Sequence, residues 1–255
     1  MNPRIASWRG QRIWVIGAST GIGEATARAL LAAGARVMLS ARRQGPLQVM
    51  ANAYPQALAG VLDVTDHASV LATRDAMLSA WGGVDLVLIV AGSYDEMRAE
   101  EFDLARARRL VDLNIGGVLN CLDAVLPTLL AQGHGGIGIV SSVAGYSGLP
   151  KALIYGPTKA ALINLAESLY LDLRPRGIGV YLINPGFVDT PLTAGNAFPM
   201  PGLMTPIAAA AAIVRGIERG RFHIHFPARF TNWLRFARLL PYWLYFRLIH
   251  KATGL

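Results

Sequence analysis

Between residues 12 and 226, short apolar runs alternate with longer stretches whose apolar positions recur three or four residues apart. The short runs, at 12–17, 35–41, 57–64, 84–91, 136–142, 178–184 and 222–226, predict strands. The stretches at 21–33, 44–53, 66–80, 102–130, 152–174 and 206–218 predict helices. Trp14-Val15-Ile16 and Leu86-Val87-Leu88-Ile89-Val90 are apolar at consecutive positions, so both faces of these strands must be covered. Strict strand–helix alternation then implies right-handed crossovers and a doubly wound α/β sheet with helices on both faces. No internal repeat and no linker rich in Gly, Pro or Ser divides the pattern. One domain is expected over 1–227, followed by a helical tail over 228–255.

Composition narrows the class. The 255 residues are 53% hydrophobic and 16% charged, which excludes a disordered chain and allows a sizeable core. Cys121 is the one cysteine, so a disulfide scaffold and a Cys-based metal site are excluded and a reducing compartment is expected. The first residues lack a secretory pattern, and no window of about 20 uninterrupted apolar residues occurs. The expected location is the cytoplasm, or the periphery of a membrane at its inner face. The formal charge is +8, from 24 Lys+Arg against 16 Asp+Glu, but no acidic residue follows Glu218. Arg219, Arg221, Arg229, Arg235, Arg238, Arg247 and Lys251 carry almost the whole excess. The body is near neutral, and nucleic acid is not an expected partner.

In a doubly wound sheet, ligands bind beyond the carboxyl ends of the strands, so the loops there hold the candidates. After the first strand comes Gly17-Ala18-Ser19-Thr20-Gly21-Ile22-Gly23 and then a helix. Glycines permit a tight turn and close approach, Ser19 and Thr20 add hydroxyl donors, and the helix amino end attracts a pyrophosphate. The second strand ends Ala41-Arg42-Arg43. An acid for a ribose 2′-hydroxyl is missing at Ala41, and guanidinium groups suit a 2′-phosphate, so NADP is expected over NAD. Arg42 is the expected contact and Arg43 the more dispensable. Asp63, followed by Val64, is placed to accept from an adenine amino group, while Asp66 is read as a helix N-cap.

Tyr155 and Lys159 stand four residues apart, on one helix face, with Ser142 upstream. The spacing predicts that the Lys159 ammonium lowers the Tyr155 pKa, fitting the phenol to give a proton to a carbonyl oxygen. With the glycine turn, Asp63, Ala91-Gly92, Asn114 and Pro185-Gly186, these residues resemble the short-chain dehydrogenase/reductase family in its single-domain branch, over about residues 10 to 220. The resemblance implies a seven-stranded Rossmann-type sheet and hydride transfer between a nicotinamide and a carbonyl or alcohol. It implies Tyr155 as general acid or base, Lys159 on the nicotinamide ribose and Ser142 polarising the carbonyl. It further implies Asn114 holding a water, and Val188 and Thr190 at the carboxamide. A homo-dimer or tetramer is the expected assembly. A catalytically weak nucleotide-binding scaffold is the alternative, and the complete catalytic set favours the enzyme.

Two places depart from the family's pattern, and Pro157 is a further oddity. Ile16 replaces the usual Thr, and Ile89-Val90 the usual Asn-Asn, so apolar packing is expected where the family has a polar contact. Pro157 falls between Tyr155 and Lys159 and threatens their register.

Other residues have plainer readings. Cys121 is expected to be a buried small side chain. His223 and His225 share a strand face without a third ligand, so no metal site is expected. The segment 198–206 falls where the family has a substrate lid, and Leu192, Phe198, Met200, Leu203 and Met204 point to an apolar substrate. The tail interleaves aromatics with Arg235, Arg238 and Arg247 and is interrupted by Pro241. That pattern leaves three expectations open: membrane-surface helices, a subunit interface, or packing on the body.

Overall fold

The computed structural model describes residues 1–196 and 198–254. The first half runs β1 (Arg12–Ile16), α1 (Gly21–Ala32), β2 (Arg36–Ala41), α2 (Gln44–Ala53), β3 (Ala57–Val61), α3 (His67–Trp81) and β4 (Leu86–Ile89). After it come α4 (Leu104–Val111), α5 (Gly117–Gln132), β5 (Gly135–Val140), α6 (Tyr155–Leu173), β6 (Ile178–Pro185), α7 (Pro206–Glu218) and β7 (His223–Phe226). The tail forms α8 (Ala228–Ala237) and α9 (Tyr242–Thr253).

The strands form one parallel seven-stranded sheet in the order β3-β2-β1-β4-β5-β6-β7. Because β1 has β2 on one side and β4 on the other, the winding reverses between β1 and β4, and a crevice opens at their carboxyl ends. Side chains alternate across the sheet. Trp14 and Ile16 join the core that includes Met77, Val118, Val125 and Leu162, while Ile13 and Val15 join the opposite core with Leu30, Leu47 and Ile213. The doubly apolar strands are therefore covered on both faces.

Most strands are shorter than the apolar runs, because a strand ends where its neighbour does, whereas β6 extends to Pro185. Val61 is the last residue of β3 paired with β2, and residues 62–64 leave the sheet toward the crevice. β4 keeps only the four residues opposite Ile13–Ile16. Asp66 caps α3 as expected, accepting from Ala68 N and Ser69 N. Ile16 and Ile89 are direct partners across β1 and β4, both fully buried, so the two departures from the family's polar pattern meet each other.

The expected single helix over 102–130 instead begins at Leu104 and is broken at Asp112–Gly116 by a π-helical turn. Leu104–Gln132 is long and apolar enough to cross a membrane by composition, but Val118, Cys121, Ala124, Val125 and Leu129 are buried in the core of this fold. Burial pushes the Cys121 thiol up to about 12, so it behaves as a small apolar side chain.

Candidate active site

The glycine turn owes its shape to what it touches. Gly17 has φ +100, and a Cβ there would lie 2.7 Å from the Ala91 nitrogen. A Cβ on Gly23 would fall 2.1 Å from the Gly17 carbonyl oxygen, so α1 starts hard against the turn. These constraints come from backbone, which cannot move aside as a side chain can. Thr20, the residue before α1, makes no side-chain bond to the helix, which leaves first-turn N–H groups facing the crevice. The loop after β6 closes the same end, with Thr190 Cγ2 2.9 Å from where a Cβ on Gly21 would sit.

Arg42 and Arg43 project from the end of β2 and are exposed. Arg43 Nη2 donates to Ser19 Oγ at 3.3 Å, so the arginine expected to be the more dispensable is the one held against the glycine turn. Asp63 accepts from Thr65 N at 2.9 Å and Thr65 Oγ1 at 2.8 Å. The Thr65 N–H and hydroxyl, with the Arg42 guanidinium nearby, keep its carboxyl below the usual range despite partial burial.

Ser142, Tyr155 and Lys159 meet at the floor of the crevice. Ser142 follows β5, and its Oγ accepts from Ala144 N at 3.1 Å, which caps the short turn Val143–Gly145. Gly145 packs so closely on α6 that a Cβ would sit 2.6 Å from the Lys159 carbonyl carbon, and Ser141 Oγ donates to the Lys159 carbonyl at 2.7 Å. These contacts fix β5 against the first turns of α6. Pro157 is the third residue of α6, where an N–H would lack an intrahelical partner anyway, so the register of Tyr155 and Lys159 is undisturbed.

The electrostatics differ from the sequence expectation. Lys159 is almost wholly buried, and its Nζ donates to the Val140 carbonyl at 3.1 Å, 5.6 Å from the Tyr155 ring centroid. Burial pushes Lys159 down to about 8. Tyr155 is raised, not lowered, because burial outweighs the opposing Ser142 hydrogen bond. At this separation the ammonium does not offset the loss of water around the phenol. Tyr94, to which no motif or spacing pointed, packs edge-on against Tyr155 with ring centroids 5.0 Å apart. Burial, then the nearby Glu96, pushes its phenol up to about 12.

Asn114 lies in the π-helical turn and is fully buried. Its Oδ1 accepts from Ser93 N at 2.8 Å, and its Nδ2 donates to the Ser93 carbonyl at 3.0 Å and to Thr158 Oγ1 at 3.1 Å. It ties the loop after β4 to α6 from behind the crevice wall. A Cβ on Gly92 would be 3.3 Å from both Asn114 Oδ1 and Lys159 Nζ, so only a glycine leaves that corner open.

These loops enclose one cavity of about 1380 Å³. Of the residues singled out from the sequence, Gly17, Ser19, Thr20, Gly21, Ile22, Gly23, Arg42, Arg43, Asp63, Val64, Ala91, Gly92, Ser142, Tyr155, Lys159, Pro185, Gly186, Val188 and Thr190 line it, and Asn114 does not. The remaining lining is mostly apolar, with Leu149, Phe187, Leu192, Phe198, Phe230 and Trp233, but it includes the cations Arg98, Lys151 and Lys251, and Lys151 Nζ lies 5.5 Å from the Phe198 ring centroid. Phe198 of the expected lid, and Leu192 before it, therefore reach the cavity. Met204 is instead a backbone anchor, its N–H donating to the Phe187 carbonyl at 3.0 Å, and Leu203 is exposed.

The tail builds part of this wall. Trp233, Leu234 and Ile249 line the cavity, and Tyr245 Oη donates to the Gly148 carbonyl at 2.8 Å. Its inner side packs on the body through Thr231, Leu234, Ala237, Tyr245 and Ile249. No sequence signal assigned the tail to the cavity, because contacts such as Tyr245 with Gly148, 97 residues apart, leave no local pattern. Beneath α8, His223 and His225 sit side by side, 4.7 Å between ring centroids. They are held by Tyr146 and Asn184 on one side and Thr231 on the other. Among the described residues no group of three His, Cys, Asp or Glu side chains is placed to hold a metal ion.

The family model for short chain dehydrogenase matches residues 11–198. An uncharacterized oxidoreductase of Myxococcus xanthus is 38% identical over 231 residues, covering 89% of this chain and 91% of its own. A short chain dehydrogenase/reductase from Burkholderia phymatum, solved in complex with NAD, shares the fold with TM-score 0.83 at 24% identity, over 91% of this chain and 94% of its own. A gluconate 5-dehydrogenase from Burkholderia cenocepacia, solved with NADP and tartrate, does so with TM-score 0.79 at 24% identity, over 88% and 97%. The chain belongs to the short-chain dehydrogenase/reductase family of oxidoreductases.

Proposed function

We propose that this chain is an NADP(H)-dependent reductase of apolar, lipid-like ketones or aldehydes. The observation that carries the reading is the cavity itself, which joins a glycine turn and two arginines at one end to a mostly apolar pocket at the other, with Ser142, Tyr155 and Lys159 between them. The same fold is known with either NAD or NADP, so the choice rests on this chain's own residues. Ala41 offers no carboxylate to a ribose 2′-hydroxyl, and Arg42 and Arg43 supply guanidinium groups for a 2′-phosphate.

The dinucleotide fits the residues present. Gly17 and Gly23 hold the turn tight because a Cβ on either would strike backbone, Asp63 presents a carboxylate held ionised, and Gly92 keeps open the corner beside Lys159. When bound, the nicotinamide supplies the hydride. Tyr155 then gives its phenolic proton to the carbonyl oxygen, and a raised pKa keeps that proton in place until negative charge develops. Ser142 Oγ donates to the same oxygen and stabilises the charge. Lys159, lowered by burial to about 8, stays mostly charged at neutral pH and would hold the ribose. Asn114 is a positioning residue, since its three protein contacts fix α6 and the loop after β4.

The test is consumption of NADPH and of NADH against aldehydes and ketones graded from small and polar to long and apolar, with Tyr155→Phe as control. A rate that favours NADPH, climbs with chain length and vanishes in the variant is the expected result. Preference for small polar carbonyls would reject the substrate class, and preference for NADH would reject the cofactor.

A further inference from the structure

The outer side of α8 and α9 is unlike the rest of the surface. Five of the six exposed aromatic side chains among the described residues are Trp233, Phe236, Tyr242, Trp243 and Phe246 of this tail. Leu239, in the connection between the helices, is 79% exposed, and the Tyr242 and Phe246 rings stack 5.6 Å apart. Arg229, Arg238 and Arg247 are exposed among them, and none has a carboxylate within 4 Å among the described residues. Residues 219–255 contain no acid that could supply one locally. The two helices are anchored on their inner side by Thr231, Leu234, Ala237, Tyr245 and Ile249. The outer side is therefore a fixed surface and not a loose end.

We infer that this surface docks the protein on an anionic phospholipid membrane. Large exposed apolar side chains interleaved with cations match a bilayer interface, where rings enter the acyl boundary and guanidinium groups meet headgroup charge. A second copy of this chain is a poor match. Across a two-fold axis the same patch faces itself, which would set arginines against arginines with no acid in the segment to separate them. The position of the patch adds a consequence that rests on the proposed reductase. Trp233, exposed on the outer side, also lines the cavity, so the docked face would adjoin the wall against which a lipid-like substrate binds.

The experiment is co-sedimentation of the full chain with vesicles of phosphatidylcholine alone and of equal parts phosphatidylcholine and phosphatidylglycerol. The expected result is recovery with the anionic vesicles and little with the neutral ones. Trp243→Glu with Phe246→Glu should return the protein to the supernatant. Both positions are more than half exposed, and unchanged thermal unfolding shows that the fold is kept. Arg229→Gln, Arg238→Gln and Arg247→Gln should each weaken binding by about five-fold at low salt. Equal recovery in the supernatant with both vesicles overturns the inference, as does pelleting that the substitutions leave unchanged. A dimer that the Trp243, Phe246 pair of substitutions splits into monomers in sedimentation velocity also overturns it, because the patch then belongs to a second copy. Turnover of a water-soluble ketone without vesicles reads the reductase assignment separately, so the two can fail independently.

Discussion

Arg235 Nη1 lies 3.2 Å from His225 Nε2, and this contact between α8 and β7 requires a neutral imidazole. An arginine only donates, so His225 Nε2 must be the acceptor, and Nδ1 then carries the proton and donates to Thr231 Oγ1 at 2.6 Å. The tail is thus joined to the sheet through a histidine whose charging would break the arrangement. Burial, then its neighbours His225 and Arg235, pushes His223 down to about 4, and burial and Arg235 lower His225.

Stability is therefore expected to depend on pH in a definite window. A histidine with a depressed folded pKa contributes fully above its unfolded value of 6.5, because below that the unfolded chain takes up protons the folded chain refuses. The loss proceeds as pH falls from 6.5 toward about 4 and, reduced by the solvent that screens this partly exposed ring, amounts to about 2 kcal/mol for His223. Chemical denaturation across that window, with His223→Gln as comparison, measures it. The same slope in both proteins would place the effect elsewhere.

Replacing Tyr155 by Phe removes the proton donor and leaves the ring against Tyr94. The expected loss in kcat is about 10²–10⁴-fold. Binding of NADPH, followed by fluorescence, should change far less, since the turn of Gly17, Gly21 and Gly23 is untouched. A variant that keeps wild-type turnover would assign the proton to another group.

Arg43→Ala, alone or with Arg42→Ala, is expected to weaken NADPH binding by roughly ten- to hundred-fold per arginine, the range for a hydrogen bond to a charged group. NADH binding should hold steady, because no 2′-phosphate is present to lose a partner. Titration of both nucleotides decides this. An equal loss for the two would mean that Arg43 acts only by bracing Ser19.

Trp233 bridges the tail and the cavity while remaining 40% exposed. Trp233→Ala should lower kcat/KM for long apolar carbonyls by roughly ten-fold and leave short ones nearly unchanged. A uniform loss across chain lengths would show that the side chain supports the fold and not substrate choice.

Ile16→Thr places one hydroxyl opposite Ile89 in a fully buried pair. With no partner, the hydroxyl should cost about 1–3 kcal/mol in denaturant unfolding. If the substitution stabilised the protein, apolar packing would not explain the departure from the family's polar residues.

Much of this molecule was legible from local pattern. Alternation of doubly apolar strands with helices determined the parallel, doubly wound sheet, because a strand apolar on both faces has few other places to go. The glycine turn, Ser142, Tyr155 and Lys159 could be read from spacing, since backbone conformation and helix periodicity act over a few residues. Other features depended on neighbours distant in the chain. Strand ends followed the lengths of their partners, as at Val61 and Ile89. The Tyr155 pKa moved opposite to the expectation because desolvation depends on everything packed around the phenol, whereas spacing reveals only Lys159. Asn114 turned inward to Ser93 and Thr158 through a π-helical turn that no periodicity announced. The basic aromatic tail was visible as composition, but its course over the body was decided by contacts such as Tyr245 with Gly148 and Arg235 with His225. Sequence determines which groups exist and how they repeat along the chain. Only tertiary packing decides which of them lose their water and meet.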